Sequence, residues 1–484
     1  MAEIAAIKVR ALAFQLHTVL FALALTLLPA SGFGQTADTA QPEGASPAIA
    51  EARGEVTARR FLVAAANRHA AEAGRDILRR GGSAIDAMVA VQLVLGLVEP
   101  QSSGLGGGGF LVYWNAEQKQ LTTLDARETA PMRATPRLFQ DAAGKPLEFY
   151  DAVLGGRSVG VPGIPRLLEQ AHRKWGRLAW RELFGPAMRL AEEGFAVSPR
   201  LFKAIGEDKE QLARFPGARA YFFDAAGSPV GAGTVLKNPD FANTLGIMRE
   251  EGAAPFYSGR IAAGIVEAVQ SAPGNPGVLT LADLASYEVK ERAAACLAYR
   301  GFDVCGMGPP SSGALAVGQI LGILENFDVR ALGPANPGAW QLFGDATRLA
   351  FADRDRFMAD EDFVPMPTKG LLDKSYLAER AKLIELGHKL GEAKPGTPKW
   401  DHARLYGDGI SMELPSTTHF VIVDEARNVV SMTSSIEDAF GARLMTHGFL
   451  LNNQLTDFSF ASQVDGVPIA NRVEPGKRPR SSMS

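Results

Sequence analysis

Residues Pro415 to Asp424 read PSTTHFVIVD. Upstream, GEAKPGTPKWDHARLYGDGISMELPS (Gly391–Ser416) mixes turn formers and charges with no sustained apolar period, which predicts an exposed loop. Downstream, HFVIVD and NVVSMTSSI alternate with a period of two around EAR-type turn residues, which predicts a hairpin. Two threonines therefore stand at the mouth of a strand, directly after a flexible leader. A threonine hydroxyl is a poor nucleophile unless a base sits beside it. One solution is the residue's own α-amino group, freed by cutting the bond before it. That amine has an ordinary pKa of about 7.7–8.0, so it can take a proton at working pH. A loop able to strain the scissile bond and then swing clear suits the scheme. Threonine is also a common strand former, so the pattern by itself leaves both readings of Thr417 and Thr418 open.

Outward from the hairpin, the first half of the chain is helix-rich. HAAEAGRDILRRGG predicts a helix from His69 to Arg80, stopped by Gly81-Gly82. Ser83 is placed to cap the next helix, AIDAMVAVQLVLGLVEP, which is apolar nearly all round, hence buried, and ends at Pro100. A glycine-rich turn and a strand, Phe110 to Trp114, follow. Further helices are predicted over Ile164–Lys174, Leu183–Glu193 and Leu315–Glu325, and HGFLLNN predicts another strand after the hairpin. Gly104, Gly106 and Gly109 match G-x-G-x-x-G formally. They follow a helix and precede a strand, the reverse of the dinucleotide context, so they predict a tight loop rather than a Rossmann site. His419 and His447 read as strand-end packing residues.

The chain has 484 residues, 46% hydrophobic and 21% charged, enough for a large core. A net charge of −3 argues against a nucleic-acid footprint, and no zinc-type Cys/His cluster is present in the sequence. Near the N-terminus, Lys8 and Arg10 precede the apolar run VLFALALTLL (Val19–Leu28) and the small residues of PASGFGQ. The run is short for a bilayer, so residues 1–34 are expected to be a removed signal peptide rather than a stable membrane span. Residues 35–57 read as a disordered leader. Export implies a periplasmic or secreted protein. In CLAYRGFDVC, a two-residue turn at Arg300-Gly301 would set Cys296 opposite Cys305 at a non-hydrogen-bonded pair. A disulfide and two half-buried thiols both fit that register.

TTHFVIVDEARNVVSMTSSIEDAFG resembles the start of the small subunit of the γ-glutamyltransferases, or glutathione hydrolases, which are self-cleaving N-terminal-nucleophile hydrolases. EPQSSGLGGGGF (Glu99–Phe110), LDARETAP (Leu124–Pro131), GPPSSGA (Gly308–Ala314), FADRDRFMADEDFV (Phe351–Val364), LLNNQLTDFS (Leu450–Ser459) and GKRPRSSMS (Gly476–Ser484) are similar to blocks of that family, in order. The resemblance implies an α+β fold, a four-layer αββα sandwich, made as one precursor. It divides into a large subunit, 58–416, and a small subunit, 417–484, which together form a heterodimer. It makes Ser416–Thr417 the bond cut, Thr417 the nucleophile, and Ser435 a hydroxyl partner of that nucleophile. Thr418 would be a supporting or a strand-packing residue.

The implied substrates are glutathione and other γ-glutamyl compounds, with water, an amino acid or a dipeptide as acceptor, and no metal or organic cofactor. A γ-glutamyl group carries a carboxylate and an ammonium remote from the scissile amide. Arg127 suits the carboxylate with a planar two-pronged contact, with Ser481 and Ser482 adding donors. Asp457 suits the ammonium, with Glu437 and Gln454 as further acceptors; Glu437 stands where the family often has asparagine. The chain departs from the family pattern in two ways. It stops inside the last block, before a Gly-Gly pair that serves the oxyanion, so it is expected to be C-terminally truncated, with its own activity in doubt. The stretch from Asp457 to Ser481 is short for a full lid, which would leave the site open to larger donors or to water. The alternatives are a related self-processing acylase acting on glutaryl-type side chains, which has no ammonium for Asp457 and Glu437 to meet, or a catalytically silent exported fragment.

Overall fold

The computed structural model describes residues 57–400, 406–409 and 416–483. The expected signal segment and most of the leader lie outside the described residues, as does much of the predicted loop. Its residues 391–400 form neither helix nor strand.

Six strands build the central sheet. They are β1 (Leu62–Ala64), β2 (Gly108–Asn115), β3 (Gln120–Ala126), β4 (Lys290–Arg292), β5 (Thr417–Val423) and β6 (Val429–Ser435). Their order is β1-β5-β6-β2-β3-β4, and every neighbouring pair is antiparallel. The β5–β6 hairpin is the one the alternating pattern predicts. The register pairs Thr417 with Ser435, Ser435 with Gly108, and Gly109 with Ala126. Because the pairing is antiparallel, the start of β5, the end of β6, the start of β2 and the end of β3 all fall at one end of the sheet. Motifs far apart in sequence meet there for that reason alone.

Helix α1 (Arg68–Arg79) and helix α2 (Ala84–Val98) run as predicted. Ser83 caps α2 in a reciprocal box with Asp86, so two of its free N–H groups are satisfied. Every residue of α2 is buried, and the helix packs on β5 and β6, whose Phe420, Ile422, Val430 and Met432 share its core. Period-two alternation then decides the two threonines: Thr418 goes inward with Phe420 and Ile422, and Thr417 and His419 go outward.

Local differences from the sequence expectations have simple causes. The Leu183–Glu193 helix divides into a 3-10 turn, Trp180–Leu183, and a helix, Gly185–Glu193, whose start is set by Pro186 in its first turn. HGFLLNN contributes only Phe449–Leu450 to a strand, paired with Met445–Thr446. The chain then leaves the ladder because Asn452 turns its side chain to the backbone of Gly106 and Gly160. The tail is correspondingly poorer in strands than expected. Cys296 and Cys305 face each other across the hairpin Ala295–Tyr299/Phe302–Gly306 and form a disulfide. Arg300 and Gly301 both have positive φ, the conformation that a two-residue turn of this hand requires.

Candidate active site

The expected cleavage region begins at the buried residue Ser416, whose hydroxyl donates to the Gln101 carbonyl at 2.8 Å. Thr417 opens β5 and is exposed. Its Oγ1 donates to Ser435 Oγ at 3.2 Å, and Ser435 Oγ in turn donates to the Ser416 carbonyl at 3.1 Å. The Glu437 N–H donates to the same Ser435 oxygen at 2.9 Å. One buried hydroxyl thus accepts from two donors and delivers its own proton to the carbonyl preceding Thr417. Thr418 lies on the opposite face, 2% exposed, and its hydroxyl has no hydrogen-bond partner. His419 Nδ1 meets Thr433 Oγ1 at 2.8 Å, so this ring is occupied across the strand rather than aimed at Thr417.

The glycine loop makes close approach to β6 feasible. A Cβ on Gly107 would stand 2.1 Å from the Ser435 carbonyl, and one on Gly106 would stand 2.0 Å from that of Leu450. No other residue type fits at either place. The loop is tight, as its sequence context predicts, and it lies against Ser435, the partner of Thr417.

Arg127 follows β3 and is fully buried. Its guanidinium donates to the Pro479 carbonyl at 3.1 Å, to the Arg480 carbonyl at 2.9 Å, and to Asp457. Arg127 and Asp457, each predicted to meet one end of a zwitterion, are paired with one another. Gln454 Nε2 donates to Asp457 at 2.8 Å, while Gln454 Oε1 is buried without a partner. Glu437, at a φ of 78°, accepts from Asn453 Nδ2 and from Thr456 Oγ1 at 3.4 Å. Burial, with Asp457 and Asp438 adding repulsion, holds its carboxyl well above the usual carboxylate range.

Ser481 is buried and engaged through its backbone: its N–H donates to the Pro310 carbonyl and its own carbonyl accepts from Ser312. Its hydroxyl accepts from the Met483 N–H at 3.1 Å. Ser482 is exposed. The structure therefore gathers Arg127, Asp457, Gln454 and Glu437 around one polar centre, and brings the Ser481 segment to it through the Arg480 carbonyl.

Two residues at this centre were not singled out from the sequence. Gln101 holds Ser416, and Glu128, next to Arg127, is wholly buried with neither carboxylate oxygen hydrogen-bonded. Both sit inside quoted blocks, but neither residue type announces its role there. Burial pushes the Glu128 carboxyl up to about 8; the Arg127 guanidinium opposes this, and Asp457 and Asp125 reinforce it. From an ordinary value of 4.5 up to about 8, the unfolded chain has released a proton that the folded chain keeps. The stability associated with that retained proton is complete below pH 4.5 and is lost as pH rises toward 8. Glu128→Gln is expected to flatten the decline, gaining on the wild type by a few kcal/mol, roughly, by pH 8. Urea unfolding at pH 5 and pH 8 measures this; equal slopes in the two proteins would refute the assignment.

Comparisons with known proteins agree with this geometry. The gamma-glutamyltranspeptidase family model matches residues 70–484. The glutathione hydrolase proenzyme of Bacillus subtilis (strain 168) is 38% identical over 432 residues, covering 87% of this chain and 72% of the relative. The crystal structure of Helicobacter pylori gamma-glutamyltranspeptidase aligns with a TM-score of 0.68 at 34% identity, over 71% of this chain and 97% of that one. A cephalosporin acylase structure from Bacillus halodurans aligns with a TM-score of 0.77 at 28% identity, over 89% of this chain and 75% of that one. These likenesses agree with the α+β N-terminal-nucleophile hydrolase fold class expected from the sequence. With matches of this extent and a threonine–serine pair poised on the carbonyl before it, the chain belongs to the γ-glutamyltranspeptidase family, enzymes of γ-glutamyl transfer and hydrolysis.

Proposed function

We propose that the chain cuts itself between Ser416 and Thr417 and then uses Thr417 to remove or transfer γ-glutamyl groups from glutathione and related compounds. The observation that carries this is the Thr417–Ser435–Ser416 relay. Thr417 Oγ1 attacks the Ser416 carbonyl carbon, its proton passes to the Thr417 nitrogen as the C–N bond breaks, and an ester replaces the amide, leaving Thr417 with a free amine. Ser435 donates to the carbonyl oxygen as negative charge grows there. Water then hydrolyses the ester, leaving a carboxylate on Ser416 and a free amine and hydroxyl on Thr417.

In the second stage the amine accepts the Oγ1 proton as the oxygen attacks the γ-amide carbonyl of the donor. The leaving amine takes up a proton, a γ-glutamyl ester forms, and water, an amino acid or a dipeptide releases it. Three strand spacings separate β5 from β3, about 14 Å. The Arg127 side chain and a γ-glutamyl group together can bridge that span. Arg127 would take the donor's carboxylate, with the Ser481–Ser482 segment beside it, and Asp457, Glu437 and Gln454 would take its ammonium. The same cluster favours γ-glutamyl over glutaryl donors despite the likeness to an acylase, because a glutaryl group brings no cation to three buried acceptors. The large piece, 58–416, and the small piece, 417–484, would remain together as a heterodimer. We also propose that residues 1–34 direct export, placing the enzyme in the periplasm or outside the cell.

N-terminal sequencing of the smaller fragment tests the cut: Thr-Thr-His-Phe is expected, and any other start overturns it. Ser435→Ala removes both the acceptor for Thr417 and the donor to the scissile carbonyl. Self-cleavage should slow by roughly 10²-fold, read as the disappearance of the intact band on a denaturing gel. An unchanged rate would exclude Ser435 from the relay.

A further inference from the structure

We propose that Asp125 is a positioning residue for γ-glutamyl donors: it holds the backbone of Arg127 and, through Arg478, the two carbonyls on which the Arg127 guanidinium rests. The inference rests on the reading of Arg127 as the carboxylate receptor. Asp125 is fully buried, and its Oδ1 accepts the Arg127 N–H at 2.8 Å. Its Oδ2 accepts from Arg478 Nη1, and that nitrogen also reaches the Asp125 carbonyl at 3.3 Å. Arg478 is tied down further by its Nη2 on the Glu288 carbonyl at 2.6 Å and its N–H on Asp360 at 3.0 Å. The next two residues, Pro479 and Arg480, present the carbonyls that accept from Arg127. The contacts close a ring: Asp125 to Arg478, Arg478 along the chain to Arg480, Arg480 to the Arg127 guanidinium, and the Arg127 N–H back to Asp125.

The ring leaves one prong without a hydrogen bond. Arg127 Nη1 is buried with no hydrogen-bond partner, its nearest counter-charge being Glu128 Oε2 at 3.9 Å, although the guanidinium's other nitrogens are engaged. A planar fork offers an incoming carboxylate a useful angle only while its plane is held, and here the plane is set by two carbonyls whose own position depends on Asp125. Arg292 also lies on Asp125 Oδ2, at 2.7 Å, and pairs with Asp360, Glu361 and Asp362; it reaches the Arg478 N–H only through Asp360 and touches neither carbonyl. It provides the control for simple charge neutralisation.

Asp125→Asn keeps the shape and loses the charge between two guanidinium groups. The contact it supports is made equally in the bound donor and the transition state, so KM should rise while kcat holds. With γ-glutamyl-p-nitroanilide as donor, KM is expected to rise about tenfold or more, with kcat within about threefold and the rate of self-cleavage retained. Arg292→Gln should keep KM within about twofold. A KM unchanged in Asp125→Asn, or raised equally by Arg292→Gln, would overturn the proposal. Should Asp125→Asn fail to fold, Arg478→Lys, which keeps the charge but cannot serve Asp125 and Glu288 together, is expected to raise KM several-fold, and an unchanged KM counts against the ring. Arg127→Gln separates the two levels. If it leaves KM unchanged, the γ-glutamyl reading of Arg127 falls and the inference with it; if it raises KM where Asp125→Asn does not, only the role of Asp125 falls.

Discussion

Thr417→Ala leaves the chain in one piece and stops the release of glutamate from glutathione. Both steps use the same oxygen, so both should fall by at least about 10³-fold. The measurement is a denaturing gel for the cut and a glutamate assay for turnover. Misfolding does not account for such a result: Thr417 is exposed, opens its strand, and loses only one hydrogen bond on truncation. Thr417→Ser retains hydroxyl and amine and should keep measurable cleavage. Processing at the same bond in Thr417→Ala, with unchanged glutamate release, would end the account of the relay.

Arg127→Lys should lower kcat/KM for γ-glutamyl donors by roughly 10²–10³-fold. An ammonium is a point donor on a flexible stem. It cannot meet the Pro479 carbonyl, the Arg480 carbonyl and Asp457 in one plane while holding a further prong for substrate. Some of these buried acceptors would lose their partner, and the geometry offered to a carboxylate would go with them. Steady-state kinetics, alongside a thermal melt to gauge any loss of stability, reads this directly. A change below about threefold would remove Arg127 from donor recognition.

Much of this site was legible in the residues. The α2 cap at Ser83, the β5–β6 hairpin and the disulfide register at Cys296 and Cys305 are local, and turn chemistry or period-two alternation is enough to read them. The choice between Thr417 and Thr418 becomes plain once alternation is combined with the helix beneath the sheet. What could not be read is non-local. Nothing in the sequence around Asp457 or Arg127 says that they pair across 330 positions. Nor does it say that Glu128 would lie wholly buried with neither oxygen hydrogen-bonded. The short ladder at Phe449–Leu450 was missed because an asparagine side chain replaced the strand's own partners, a competition invisible to hydrophobic pattern.

The strand order has a bearing on biosynthesis. β5 and β6 sit between β1 and β2, so material following Ser416 is flanked on both edges by material preceding it. A break at the first residue of β5 would cut no rung of the ladder, yet it would leave two polypeptides interleaved in one sheet. The β5–β6 hairpin would lack both flanking strands, and β1 would be parted from β2, β3 and β4. For the proposed cut this implies an order of events: the uncut polypeptide would reach its native topology first, and the cut would come afterward, as a maturation step performed on a finished scaffold.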